Sequence, residues 1–186
     1  IFLKKKVILL RSYDIIDFDI ELNKNNTFTI IYNYLNDEIY NILVLETYDL
    51  NLNTIFTNKI LKSEFNIYKN LLLKKFNDNI IILYLEISEE TKFWNLIILN
   101  SALNKKLYET QILVDDENTI DDIYILNNKI YLLQNFVKYF NIIILSNNLK
   151  NKKNIPLYEL ENKEILSCNF LIENNIFKIY FINSDN

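Results

Sequence analysis

Apolar runs of five to eight residues, each closed by a short polar turn, fill the chain from end to end. The clearest is Tyr139 to Leu149, "YFNIIILSNNL", and its form recurs. Tyr40-Asn41, Trp94-Asn95 and Phe140-Asn141 each pair an aromatic residue with Asn and lead into four branched aliphatic residues. Each copy then runs through a polar segment to a leucine, read as Leu50, Leu103 and Leu149, and the three Asn residues are spaced by 54 and 46 positions. A second run lies upstream of each copy, behind an Asn-containing turn, with Asn26, Asn79, Asn128 and Asn175 as the matching positions. A third follows it, "TIFTNKIL", "KLYETQIL" and "NIPLYEL". A fourth leads into the Asn turn, "DIIDFDIEL", "IYKNLLLKK", "DDIYILNN" and "SCNFLIEN". Self-similarity at a fixed period of this size marks a repeat architecture.

Short segments rich in Ile, Tyr and Phe and bounded by polar turns read as strands. In the run after Asn141, Ile142 and Ile144 point one way and Ile143 and Leu145 the other, so both faces are apolar. A sheet wetted on one side would alternate, so these sheets need cover on both faces. Helices or further sheets can provide it. Ser63 to Phe76 has some helical periodicity, with Phe65, Tyr68, Leu72 and Phe76 on one side. Its equivalents in the other units are strand-like, which favours four-stranded units stacked as blades.

The pattern resembles the β-propeller repeat class in period and strand order. Neither a WD40-like WD dipeptide nor a kelch double glycine is present, so the resemblance names no particular family. It implies an all-β fold of four-stranded antiparallel blades of about 46–54 residues, in units of approximately 4–53, 54–105, 106–152 and 153–186. The chain opens on an outer strand at about Lys4 to Arg11 and ends on an inner and a second strand. A four-bladed ring would resemble the hemopexin-like propellers in length. The absence of Met favours instead a window cut from a larger propeller. Pro156 and the lysine groups Lys4 to Lys6, Lys105 and Lys106, and Lys150, Lys152 and Lys153 fall on predicted outer strands. There a missing N–H is tolerated and positive charge discourages strand addition.

Composition narrows the chemistry. The 186 residues include no Gly, His or Met, and single Pro, Cys, Trp, Ala and Arg residues. Ile, Asn, Lys, Phe and Tyr take their place, residues whose codons suit an AT-rich genome. Without His there is no Ser-His-Asp or Cys-His triad and no His-containing zinc site. Without Gly there is no P-loop or dinucleotide fingerprint. A net charge of −4 weighs against a general nucleic-acid binder. No run reaches the ~18 apolar residues of a membrane span, and the apolar stretch after Lys6 is too short for a signal peptide. The lone Cys168 cannot close an internal disulfide, which favours a cytoplasmic or nuclear setting. With no His to activate it, Cys168 reads as a small buried hydrophobe on an inner strand. Asn25-Asn26-Thr27 is a glycosylation sequon only in a secreted chain.

Carboxylates are the remaining candidates. "VDDENTIDD" (114–122) carries Asp115, Asp116, Glu117, Asp121 and Asp122, which suit either a cation site or a glycosidase-type acid pair, or a solvated turn. Asp17 and Asp19 share a strand face with solvent as their expected partner. No catalytic residue and no cofactor is expected. Three functions stay open: a non-catalytic protein–protein interaction scaffold, a carboxylate-based glycosidase or glycan- or cation-binding propeller, and a structural subunit of a large assembly.

Overall fold

A computed structural model describes residues 14–23, 25–36, 39–113, 118–136, 139–159, 165–173 and 176–183. The predicted outer strand at Lys4 to Arg11 lies outside them. All fourteen elements are strands: β1 (Asp14–Leu22), β2 (Thr27–Asn36), β3 (Tyr40–Asp49), β4 (Thr54–Ser63), β5 (Ile67–Phe76), β6 (Asn79–Ile87), β7 (Lys92–Leu99), β8 (Lys106–Leu113), β9 (Asn118–Leu126), β10 (Lys129–Phe136), β11 (Tyr139–Ser146), β12 (Lys152–Glu159), β13 (Ile165–Glu173) and β14 (Ile176–Asn183). The possible helix of Ser63 to Phe76 is therefore strand β5, preceded by an exposed Phe65.

The strands form three four-stranded sheets, β1-β2-β3-β4, β5-β6-β7-β8 and β9-β10-β11-β12, and a β13-β14 hairpin. Each sheet is ordered as its strands follow in the chain, and every strand pair with a described register is antiparallel. Meandering four-stranded sheets of this kind are the blades of the β-propeller repeat class. The chain divides into two compact units, 1–107 and 108–186.

In the first unit β1 and β2 lie against β5, so the first two sheets stack face to face. Their shared core joins Ile31, Leu43 and Leu45 of the first sheet to Tyr68, Leu71, Leu73, Ile82, Ile97 and Leu103 of the second. The opposite face of the first sheet has its own cluster, with Phe28 and Tyr48 rings stacked 5.5 Å apart. Ile81, Leu83, Trp94, Leu96 and Ile98 fill the other face of the second sheet and are also buried. In the second unit β9 and β10 lie against β13. Both faces of β11 are buried there, through Ile142 on one and Ile143 and Leu145 on the other. This two-sided burial is what the unbroken apolar runs require.

The turns show how a chain without glycine reverses direction. Asn26, Asn77, Asn127 and Asn128 have φ of 54°, 55°, 49° and 58°. Asn tolerates the left-handed region better than other non-Gly residues because its short amide bonds locally. In the second sheet the turn residue is Asn77, and Asn79 is the first residue of β6, where it pairs with Phe76. Asn175 lies outside the described residues. A second reversal follows each third strand and places a leucine in the same region: Leu52, Leu103 and Leu149, at φ 65°, 59° and 60°. Each leucine amide donates to a carbonyl three residues back, Asp49 at 3.0 Å, Asn100 at 2.9 Å and Ser146 at 2.9 Å. The first copy is thus Leu52 and not the exposed Leu50 that the spacing suggests. Leucine in this conformation costs roughly 1–2 kcal/mol. Burial of the Leu103 and Leu149 side chains offsets it.

Candidate functional site

Three places gather polar chemistry. The first is the seam between β1 and β5. Both are edge strands, so each has a row of amides that no neighbouring strand accepts. Asp17, Asp19 and Glu21 alternate along β1 and project towards β5. Asp17 Oδ2 accepts from Leu71 N at 2.9 Å, Asp19 Oδ2 from Leu73 N at 2.7 Å and Glu21 Oε1 from Lys75 N at 3.3 Å. The other oxygen of each aspartate turns back onto its own strand, where Asp17 Oδ1 takes Phe18 N and Asp19 Oδ1 takes Ile20 N, both at 2.8 Å. One carboxylate thus satisfies an edge amide on each of two strands. Acceptance by an ionised group makes these bonds stronger than neutral ones. Asn33 adds a bond from Nδ2 to Tyr68 O at 2.5 Å, and Asn58 Nδ2 reaches Leu103 O at 2.8 Å. Asp17 and Asp19 do share a face, as expected, but their partners are backbone amides where solvent was expected.

The second is a cavity of about 470 Å³ at the turn end of the same two sheets. Its polar wall comes from Asn23, Thr29, Thr47, Lys75, Asp78 and Ser101. Thr29 and Thr47 share a hydroxyl–hydroxyl bond of 3.1 Å, and Asn23 Nδ2 donates to Thr29 Oγ1 at 3.0 Å. Such a wall can hydrogen-bond a ligand. Among the described residues its lining includes one carboxylate, Asp78.

The third is the acidic segment. Asp115 and Asp116 lie outside the described residues. Asp121 Oδ1 accepts from Thr119 Oγ1 at 2.5 Å and its Oδ2 from Asn135 Nδ2 at 3.4 Å. Asp122 Oδ1 accepts from Ile123 N at 2.8 Å, repeating the Asp17–Phe18 arrangement. Among the described residues no group of three or more His, Cys, Asp or Glu side chains is placed to hold a metal ion. None forms a helix long and apolar enough to cross a membrane.

The repeated aromatic–Asn pairs lie at the start of the third strands. Trp94 and Phe140 are buried, and Tyr40 is half-buried under Lys62, whose Nζ sits 3.6 Å from the ring centre. Asn95 Nδ2 donates to Glu86 Oε2 at 2.9 Å and Asn141 Nδ2 to Gln134 Oε1 at 3.0 Å, tying third strand to second. Asn41 is buried at the matching place. Pro156 stands on β12, the outer edge of its sheet, opposite Asn141. Lys106 opens β8 and Lys152 and Lys153 open β12, both outer strands. The Cys168 side chain is outside the description. Glu21 and the Thr29–Thr47 pair escaped sequence reasoning; the 54-residue step from 17, 19 and 21 to 71, 73 and 75 was the available signal.

Two tyrosines give the first unit an alkaline limit. Burial, then a hydrogen bond to Glu46, pushes the Tyr48 hydroxyl up to about 12, and burial raises Tyr32 as well. An unfolded tyrosine titrates near 10. The neutral folded form is favoured, so this stability is fully present below about pH 10 and is lost as pH rises towards 12. Urea midpoints are expected to stay level up to about pH 10 and then fall, with a shallower fall in Tyr48→Phe. An identical slope in the variant would exclude Tyr48 as a contributor.

No family model matches the chain, and no curated protein is similar to it. Among solved structures, the chain is similar to the β-propeller domain of Nup133 from Vanderwaltozyma polyspora, at 12% identity and a TM-score of 0.42. That match covers 99% of this chain and 58% of the propeller domain.

Proposed function

We propose that the chain is a non-catalytic protein-interaction scaffold built from propeller-type blades, acting as a subunit of a multiprotein assembly. The observation that carries this reading is an apolar ladder on β1. Ile16, Phe18, Ile20 and Leu22 leave the strand opposite the carboxylates and are 41%, 64%, 51% and 70% exposed. On β5 the side turned towards the preceding sheet carries Leu71 and Leu73, exposed by only 4% and 0%. The same side of β1 is exposed among the described residues. A continuous exposed apolar row on a rigid strand marks a contact surface.

A photo-crosslinking residue in place of Leu22, in the full chain expressed in its native cells, tests this. The expected result is one or a few discrete protein adducts, lost in Phe18→Thr with Ile20→Thr while the melting temperature is kept. Threonine preserves strand propensity and removes the apolar surface. A free monomer with no adduct, or adducts indifferent to the double substitution, would overturn the reading.

A further inference from the structure

The turn end of the third sheet carries a pocket of about 430 Å³, within the size range of small-molecule sites. Three lysines line it, Lys129, Lys152 and Lys153, together with Asn127, Asn147 and Asn151, and among the described residues no carboxylate does. Its position follows from the register. Lys129 pairs with Ser146 and Lys153 with Ile144, two residues apart on β11, so both lysines leave the same face of the sheet. Lys152, opposite Leu145, flanks the pocket from the other face. Asn127 and Asn128, both left-handed, form the turn into β10 and line the pocket. The turn around Leu149 brings Asn147 and Asn151 to the same end.

We propose that this pocket binds a small oligoanion carrying two or more phosphoryl groups. Lys129 and Lys153 stand two strands apart and two residues along, roughly 12 Å between their Cα atoms, and each lysine side chain spans about 6 Å. The two same-face ammonium groups therefore reach either one phosphoryl group or two adjacent ones. Lysine binds phosphate as a mobile point charge, without the fixed fork of arginine. Three ammonium groups around one pocket repel one another, and a bound anion relieves that repulsion. Side-chain amides at the rim add donors to phosphoryl oxygens. The chain as a whole is acidic at −4, so attraction of an anion here reflects the local grouping and not the net charge. Edge protection accounts for lysines on β12 but not for Lys129, which stands on an interior strand. The inference does not depend on the scaffold reading above.

Isothermal titration of the full chain with inorganic phosphate, pyrophosphate and tripolyphosphate at low ionic strength tests it. Pyrophosphate and tripolyphosphate are expected to bind at least ten-fold more tightly than phosphate. Binding is expected to fall at least ten-fold in Lys129→Ala with Lys153→Ala, at an unchanged melting temperature. The matched control, Lys105→Ala with Lys106→Ala, removes two lysines elsewhere and is expected to leave binding intact. Equal losses in the two double variants would mean diffuse charge attraction and would overturn the site. So would an absence of oligophosphate binding. If the Lys129/Lys153 variant unfolds, charge-reversing Lys153→Glu alone, followed by amide chemical shifts of Asn127 and Asn151 with pyrophosphate, decides the matter. Shifts that persist there would reject the site.

Discussion

Asp17→Ala combined with Asp19→Ala is expected to destabilise the first unit by roughly 2–4 kcal/mol, a large fraction of a domain's net stability. The two carboxylates accept four backbone amides, two on β1 and two on β5. Removing them leaves four donors to find water at the edge of a packed seam. The two bonds to β5 are part-buried and the two within β1 exposed, so the amides of Leu71 and Leu73 carry most of the cost. Hydrogen exchange at Leu71 and Leu73 should accelerate together, and the urea midpoint should drop. Asn substitutions sharpen the test. Asn offers one acceptor oxygen and presents an N–H₂ where an acceptor is needed, so Asp19→Asn should lose most of what Asp19→Ala loses. If both aspartates can be replaced with no change in exchange at β5, the seam is held by its apolar core alone.

Trp94→Ala is expected to cost about 3–5 kcal/mol, the usual range for deleting a buried large aromatic side chain. Trp94 is 0% exposed and stands at the head of the second sheet's third strand. Among the described residues its indole Nε1 has no hydrogen-bond partner. That sets up a contrast: Trp94→Phe loses volume but also removes an unsatisfied donor worth roughly 1–3 kcal/mol. The phenylalanine variant should therefore lie much closer to the parent than to Trp94→Ala in denaturant melts. Phe140 already occupies the matching place in the third sheet. Equal destabilisation by Phe and Ala would show that the indole's shape decides the site.

The all-β class and the four-stranded sheets were legible because apolar residues on both strand faces and Asn at the reversals recur together. Pro156, Lys106, Lys152 and Lys153 could be assigned to outer strands on elementary grounds, since a strand edge tolerates a missing donor and resists pairing when charged, whereas Lys105 and Lys150 fall in the turns just before them. The carboxylate seam was not legible. Asp17 and Asp19 alternate with apolar residues, as they would on a half-wetted strand, and nothing local distinguishes water from a distant amide as partner. The closing leucine was misplaced for a related reason. Leu50 and Leu52 both sit in "DLNLN", and only backbone conformation separates the exposed one from the one that turns the chain. The lysine pocket was hidden because its walls come from three strand ends: Lys152 and Lys153 have an adequate explanation at an edge, and Lys129 is far from them in sequence.

The leucines at positive φ bind two kinds of mutational freedom together. In most β proteins a glycine makes the reversal while separate residues fill the core, so turn and core can drift independently. At Leu103 and Leu149 a single side chain does both. Glycine there would relax the backbone and empty the space beneath it; alanine or valine would keep the backbone cost and bury less. No one-step replacement improves one role without harming the other, so these positions should resist substitution more than fully buried neighbours such as Ile97 or Ile143, whose exchange for another aliphatic residue is cheap. The shape of each reversal is thereby tied to the packing of the sheet it closes.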